Sequence, residues 1–194
     1  MKTPYIQLLL LSLCVVDLHA DQSGVSTHRT NAGTPEADGW YTAASTQGAF
    51  IVRVPNQFTD LTVSTGDDGK EKSYVIESRS TEGIKFSAVR IPILKPRNSI
   101  KEFFEELVQK AERMVVLDEK LYFELDGHDC LDFAYTSGKS VTVVRLIGLS
   151  DGSLNLKVEY PADDSKGETR RIAAKYFASA KILKEEPNRV AGSD

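Results

Sequence analysis

Cysteine is scarce in this chain, which carries only Cys14 and Cys130. Cys14 lies in an apolar run near the amino terminus. If that run is removed, one cysteine remains and an internal disulfide is excluded. Packing alone must then hold the fold together, even in an oxidising compartment. Clustered lysine and arginine are missing as well. The formal charge is -4 with both signs interspersed, which speaks against nucleic acid or an anionic membrane surface as the main partner, because both are recognised by concentrated positive charge. There is no phosphate-cradling glycine loop, no Gly-x-Ser-x-Gly elbow and no His-Glu-x-x-His helix. No cofactor is expected, and no motif assigns an enzyme class.

Long apolar runs are missing too, save one. Tyr5 to Val16 is apolar apart from Gln7 and Ser12, follows Lys2 and precedes the small residue Ala20. It falls short of the ~20 residues that a helix needs to cross a bilayer. Residues 1–20 therefore read as an export signal cleaved after Ala20, with a retained anchor as the alternative. Lipidation at Cys14 is opposed by the bulk of Leu13. An exported protein, periplasmic or secreted, follows, with no stable membrane span after cleavage. Residues 21–39 are rich in Ser, Thr, Asn, Gly, Asp and Pro, and read as a flexible leader. Residues 184–194 read as a flexible tail, which leaves 40–183 as the folded domain.

Within that domain the dominant period is two. Phe50, Val52 and Val54 form a strand that Pro55 stops. Leu61–Thr65 and Ser73–Arg79 flank Gly66-Asp67-Asp68-Gly69 and predict a hairpin. Ile84, Phe86 and Ala88 begin another strand, but apolar parity then moves to Val89, Ile91 and Ile93, which predicts a bulge near Ala88. Ser99 and Glu102 are spaced as a capping box. After them Ile100, Phe103, Phe104, Leu107, Val108 and Ala111 recur at helical spacing, so a helix is expected over about 99–114.

Leu121, Phe123 and Leu125 alternate, as do Leu131, Phe133 and Tyr135 after Asp126-Gly127. For both sets to share a face, the connection needs three residues and a bulge. Val141–Leu149 is apolar on both sides, as a central strand is. Leu154, Leu156, Val158 and Tyr160 alternate with Asn155, Lys157 and Glu159, which predicts one greasy face and one row turned to water, available to a partner. A last helix is expected over Arg171–Ala180. This order of elements points to an α+β fold, an antiparallel sheet with a helix packed on each face.

Short motifs carry a family resemblance. Gly48-Ala49-Phe50-Ile51-Val52-Arg53-Val54-Pro55, with Trp40 ahead of it, resembles the opening strand of the PsbP-like superfamily. Leu125-Asp126-Gly127-His128-Asp129-Cys130 is similar to that family's strand-and-glycine pattern, and Tyr176–Ile182 to its closing segment. The resemblance covers about Trp40 to Leu183 and implies an α/β/α sandwich. It also implies a platform that mostly binds proteins and has no shared active site, as in the extrinsic photosystem II protein, a Ran-binding transport factor and exported bacterial proteins. No functional residue carries over.

His128 and Cys130, with Asp126 and Asp129 beside them, form the one cluster with chemical potential. Residues two apart on a strand point to the same side, which would bring an imidazole towards a thiol, as a cysteine nucleophile or a weak metal site requires, but the bulge expected in this connection spoils that alignment. A buried cysteine acting as a small hydrophobe is the competing reading. Carboxylates such as Glu102, Glu105 and Glu106 belong to a solvated helix face, and Arg170, Arg171 and Lys175 to a small basic one. The sequence thus reads as a non-enzymatic exported module for a protein partner or small ligand. The alternatives are a metal-assisted or thiol enzyme centred on His128 and Cys130, and a structural envelope protein. Oligomeric state is left open.

Overall fold

The computed structural model describes residues 24–65, 69–92, 99–163 and 167–183. The export signal read over 1–20 and the tail read over 184–194 lie outside these, as do Ile93 and most of the loop after Thr65. No helix among the described residues is long and apolar enough to cross a membrane.

The chain runs β1 (Gly24–Ala32), β2 (Tyr41–Ala44), β3 (Phe50–Val54), β4 (Phe58–Thr65), β5 (Glu71–Arg79) and β6 (Lys85–Pro92). Helix α1 (Ile100–Glu112) follows, then β7 (Leu117–Leu125), β8 (His128–Ser137), β9 (Ser140–Leu149) and β10 (Gly152–Pro161), and finally α2 (Glu168–Ala178) and β11 (Lys181–Ile182). Eight strands make one antiparallel sheet in the order β1-β4-β5-β6-β10-β9-β8-β7, and β11-β3-β2 make a second, small one. The expected α+β sandwich with a helix on each face is therefore overturned. Among the described residues the protein is β-rich, and the two short helices found there are subordinate to the sheets.

Two cores lie on opposite faces of the large sheet. On one face the small sheet and α2 contribute Phe50, Val52, Val54, Tyr176 and Phe177, which pack with Phe86, Ala88, Leu154, Leu156 and Val158. On the other, α1 buries Phe104, Leu107, Val108 and Ala111 against Leu131, Phe133, Val144 and Leu146. This double burial corrects three expectations at once. There is no bulge at Ala88, because β6 pairs in unbroken register with β5 and β10. Phe86 and Ala88 serve the first core, while Ile91 serves the second.

Likewise β7 and β8 join through a two-residue turn, with Leu125 opposite His128. Asp126 and Gly127 take φ of 52° and 79°, the left-handed pair that a tight hairpin turn needs. The apolar sets of β7 and β8 do not share a face: Phe123 packs with the first core, and Leu131 and Phe133 with the second. Finally, β10 is not half-exposed. It lies between β6 and β9, and its polar row is largely buried.

Local chemistry explains the helix start and one further surprise. Ser99 Oγ accepts from the Glu102 N–H at 3.3 Å, and the Glu102 carboxylate accepts from the Ser99 N–H at 3.2 Å. Both capping bonds expected from the sequence are thus made. Residues 24–32, read as part of the flexible leader, instead form β1 along β4. What composition could not reveal is the anchor. Arg29 pairs at 2.8 Å with Asp60, a carboxylate 1% exposed that also accepts from the N–H and hydroxyl of Thr46.

Candidate functional site

His128 and Cys130 open β8 and share the face that carries the first core. With no bulge between them their side chains do lie on one side of the sheet, yet each is committed to a backbone group. The His128 Nδ1–H donates to the Gly148 carbonyl at 3.1 Å, and the Cys130 thiol donates to the His128 carbonyl at 3.5 Å. Burial pushes the Cys130 thiol up to about 11 from 9.0, and the nearby Arg145 guanidinium only partly opposes this. A nucleophile needs the thiolate, which this environment disfavours. Asp126 occupies the turn and Asp129 is exposed. Among the described residues no group of three or more His, Cys, Asp or Glu side chains converges as metal ligands do.

The row Asn155, Lys157 and Glu159 faces the side of the sheet opposite Leu154, Leu156 and Val158. Asn155 and Glu159 are buried and Lys157 is half-buried, so the expectation of a water-facing row fails. Glu159 accepts from Lys85 at 2.9 Å, a cross-strand pair from β6. The basic residues on α2 separate. Arg170 and Arg171 are exposed, while Lys175 Nζ donates to Asp38 at 3.0 Å and sits 4.2 Å from the Trp40 ring centroid.

The surface that stands out was not singled out by sequence reasoning. Strand β7 closes one end of the large sheet, with β8 on one side and, among the described residues, no strand on the other. Leu121 is 61% exposed, Tyr122 43% and Leu125 38%, and Met114 and Val116 on the approach to the strand are 56% and 82% exposed. Among the described residues the remaining exposed large hydrophobics are only Val25 and Leu183. Beside them lie fixed charges. Lys120 donates to Glu112 of α1, a bond that raises the lysine above its ordinary value. Partial burial, and then the Glu105 carboxylate, raise Tyr122 above 10.0.

Arg145 makes two bonds to Asp132, at 2.8 and 2.7 Å, and its guanidinium lies 5.0 Å from the Phe123 ring centroid, which steadies the strand's inner face. The signal that marks this edge is in the sequence. Asp118, Glu119, Lys120 and Glu124 interrupt the apolar set, and such charge density belongs to an edge strand.

No family model matches the chain, and no curated protein matches it. Among solved structures the chain is similar to the solution structure of cyanobacterial PsbP (CyanoP) from Synechocystis sp. PCC 6803. The identity is 11% and the TM-score 0.44, over 79% of this chain and 98% of that one. At this identity and score the likeness assigns neither activity nor partner.

Proposed function

We propose that the protein is an exported, non-catalytic module that binds a protein partner along strand β7. The observation that carries this reading is the concentration of exposed apolar side chains at 114–125, on a strand whose outer backbone groups have no neighbouring strand among the described residues. A soluble protein normally blunts such an edge, because unpaired N–H and C=O groups beside apolar side chains recruit another chain. An open strand edge also suits an extended polypeptide better than a compact small molecule, which is bound in a concave pocket.

Export is supported by the Lys2, apolar run and Ala20 pattern. Amino-terminal sequencing of the protein purified from its producing cells is expected to begin at Asp21. A cytosolic chain that retains residues 1–20 would overturn this part. For binding, a photo-crosslinking amino acid placed at Tyr122 is expected to give a defined protein adduct, while one at Thr27 on the opposite edge is not. No adduct at Tyr122, or equal labelling from both edges, would remove the reading.

A further inference from the structure

We infer that the partner at β7 is a second copy of this chain, paired antiparallel about Tyr122 so that one continuous sheet crosses two protomers. This rests on the reading of β7 as a binding edge and names its occupant.

The register decides which atoms are offered. Leu125 opposes His128 across a two-residue turn, so these two are a hydrogen-bonded pair, and the antiparallel alternation makes Phe123 and Leu121 the next ones bonded to β8. The backbone N–H and C=O of Lys120, Tyr122 and Glu124 therefore point away from the sheet. A two-fold axis at Tyr122 places these three opposite themselves in a second copy, with Tyr122 on Tyr122, Lys120 on Glu124 and Glu124 on Lys120. All the outward backbone groups of this central stretch are satisfied together, and two opposite-charge pairs form.

On the other face the same axis sets Leu121 against Phe123 of the second copy, twice. These fall at the non-hydrogen-bonded positions, where facing side chains approach most closely. The charges that would protect an isolated edge thus become complementary when the strand meets itself.

The other end of the sheet does not offer this. Strand β1 is polar, with Val25 its one large exposed hydrophobic, and its register is broken between Thr27 and Arg29 and again between Arg29 and Ala32. Such irregularities turn an edge away from further pairing; the one shift in β7, between Leu117 and Glu119, falls before the Lys120–Glu124 stretch, whose ladder with β8 is unbroken. Pairing β7 with β1 of another copy would also leave both ends open and propagate as a filament, whereas pairing β7 with β7 closes on itself.

Sedimentation velocity of the exported chain across micromolar concentrations is the test. The unmodified protein is expected to sediment as a reversible dimer. Tyr122→Pro removes an outward N–H that β8 does not use, so each protomer keeps its sheet and the dimer is lost. Glu124→Lys opposes two like charges in each dimer while leaving the Lys120–Glu112 pair intact, and is expected to weaken association about tenfold. Adding Lys120→Glu to it recreates opposite signs and restores most of the affinity.

A monomer at every concentration overturns the inference, and so does a dimer indifferent to both Tyr122→Pro and Glu124→Lys. If the monomer still crosslinks from Tyr122 to a different protein, the second-copy assignment fails while the edge-binding reading stands. If neither dimer nor adduct forms, both fall.

Discussion

Replacing Tyr176 by phenylalanine removes one oxygen from the middle of the protein and should make it more stable. Tyr176 is fully buried in the first core. Its ring meets Phe86 edge-on, with centroids 5.4 Å apart at 74°, and lies 5.7 Å from Phe177. Among the described residues its hydroxyl has no hydrogen-bond partner. Burying such a group costs about 1–3 kcal/mol, part of which is offset by the contacts the oxygen makes. Tyr176→Phe keeps the ring contacts and deletes the penalty, so a gain of about 1 kcal/mol is expected, a rise of about 2–4 °C in Tm for a domain of this size.

Tyr176→Ala is the control, and should lose about 3–5 kcal/mol because it empties the same space. A pH series adds an independent readout. Burial raises the Tyr176 hydroxyl well above 10.0, so above pH 10.0 the unfolded chain releases this proton and the folded chain keeps it. Stability of the unmodified protein then falls with rising pH, and the margin of Tyr176→Phe over it widens. Urea unfolding of the three proteins from pH 7 to pH 11 measures all of this. If Tyr176→Phe is less stable by about 1 kcal/mol with an unchanged urea slope, the hydroxyl has a partner and the reasoning is wrong.

Cys130 should resist iodoacetamide in the native protein at neutral pH and react once urea exposes it; rapid native alkylation would contradict its buried, protonated thiol. Because its folded value is raised from 9.0 to about 11, it should contribute a loss of stability across that window, and Cys130→Ala should abolish this part of the loss at a cost near 1 kcal/mol at neutral pH. Ser99→Ala removes the acceptor for the Glu102 N–H and should cost about 1 kcal/mol, measured as a fall in the urea midpoint; no change would mean the cap is idle. Gly148→Ala would place a methyl 2.2 Å from Ile100 Cγ2 and 3.2 Å from the Asp129 carbonyl. Thermal unfolding should show a loss of about 1–3 kcal/mol as α1 is pushed off the sheet, and unchanged stability would mean that the helix start is not seated there.

What the sequence revealed was local chemistry, and what it concealed was neighbourhood. The Ser99–Glu102 box and the β4–β5 hairpin were legible because their partners lie a few residues away. The polar row of β10 was misread because alternation shows two kinds of face but not what covers them. Lys85, which pairs with Glu159, is 74 residues distant in sequence. Strand β1 was misread for a similar reason, since its anchor Asp60 is invisible from the composition of 21–39.

A shared face for the apolar sets of β7 and β8 would need three residues at Asp126-Gly127, whereas the structure has a core on each side of the sheet and a two-residue turn suffices. At the candidate site, spacing placed His128 and Cys130 on one side of a strand, but the bulge expected beside them spoiled that alignment, and the unbroken ladder from Leu125–His128 to Cys130 removes the bulge. Their capture by the carbonyls of Gly148 and His128 was not legible. The exposed edge at β7 was hidden because Leu121, Phe123 and Leu125 look like core residues until the strand order is known.

The pairing of β10 with β6 has a kinetic consequence. Four strands of the sheet come from the chain before α1 and four from after it, and Gly152–Glu159 laid against Lys85–Pro92 is their one ladder in common. The later four, β7 to β10, are successive hairpins that assemble from contacts close in sequence. The seam instead closes a loop through α1 and three strands, a slow search whose entropy is lost before any contact is gained. Refolding should therefore be limited by this joining of halves, and substitutions along Leu154 to Val158 should slow it more than equally destabilising ones in the hairpin turns.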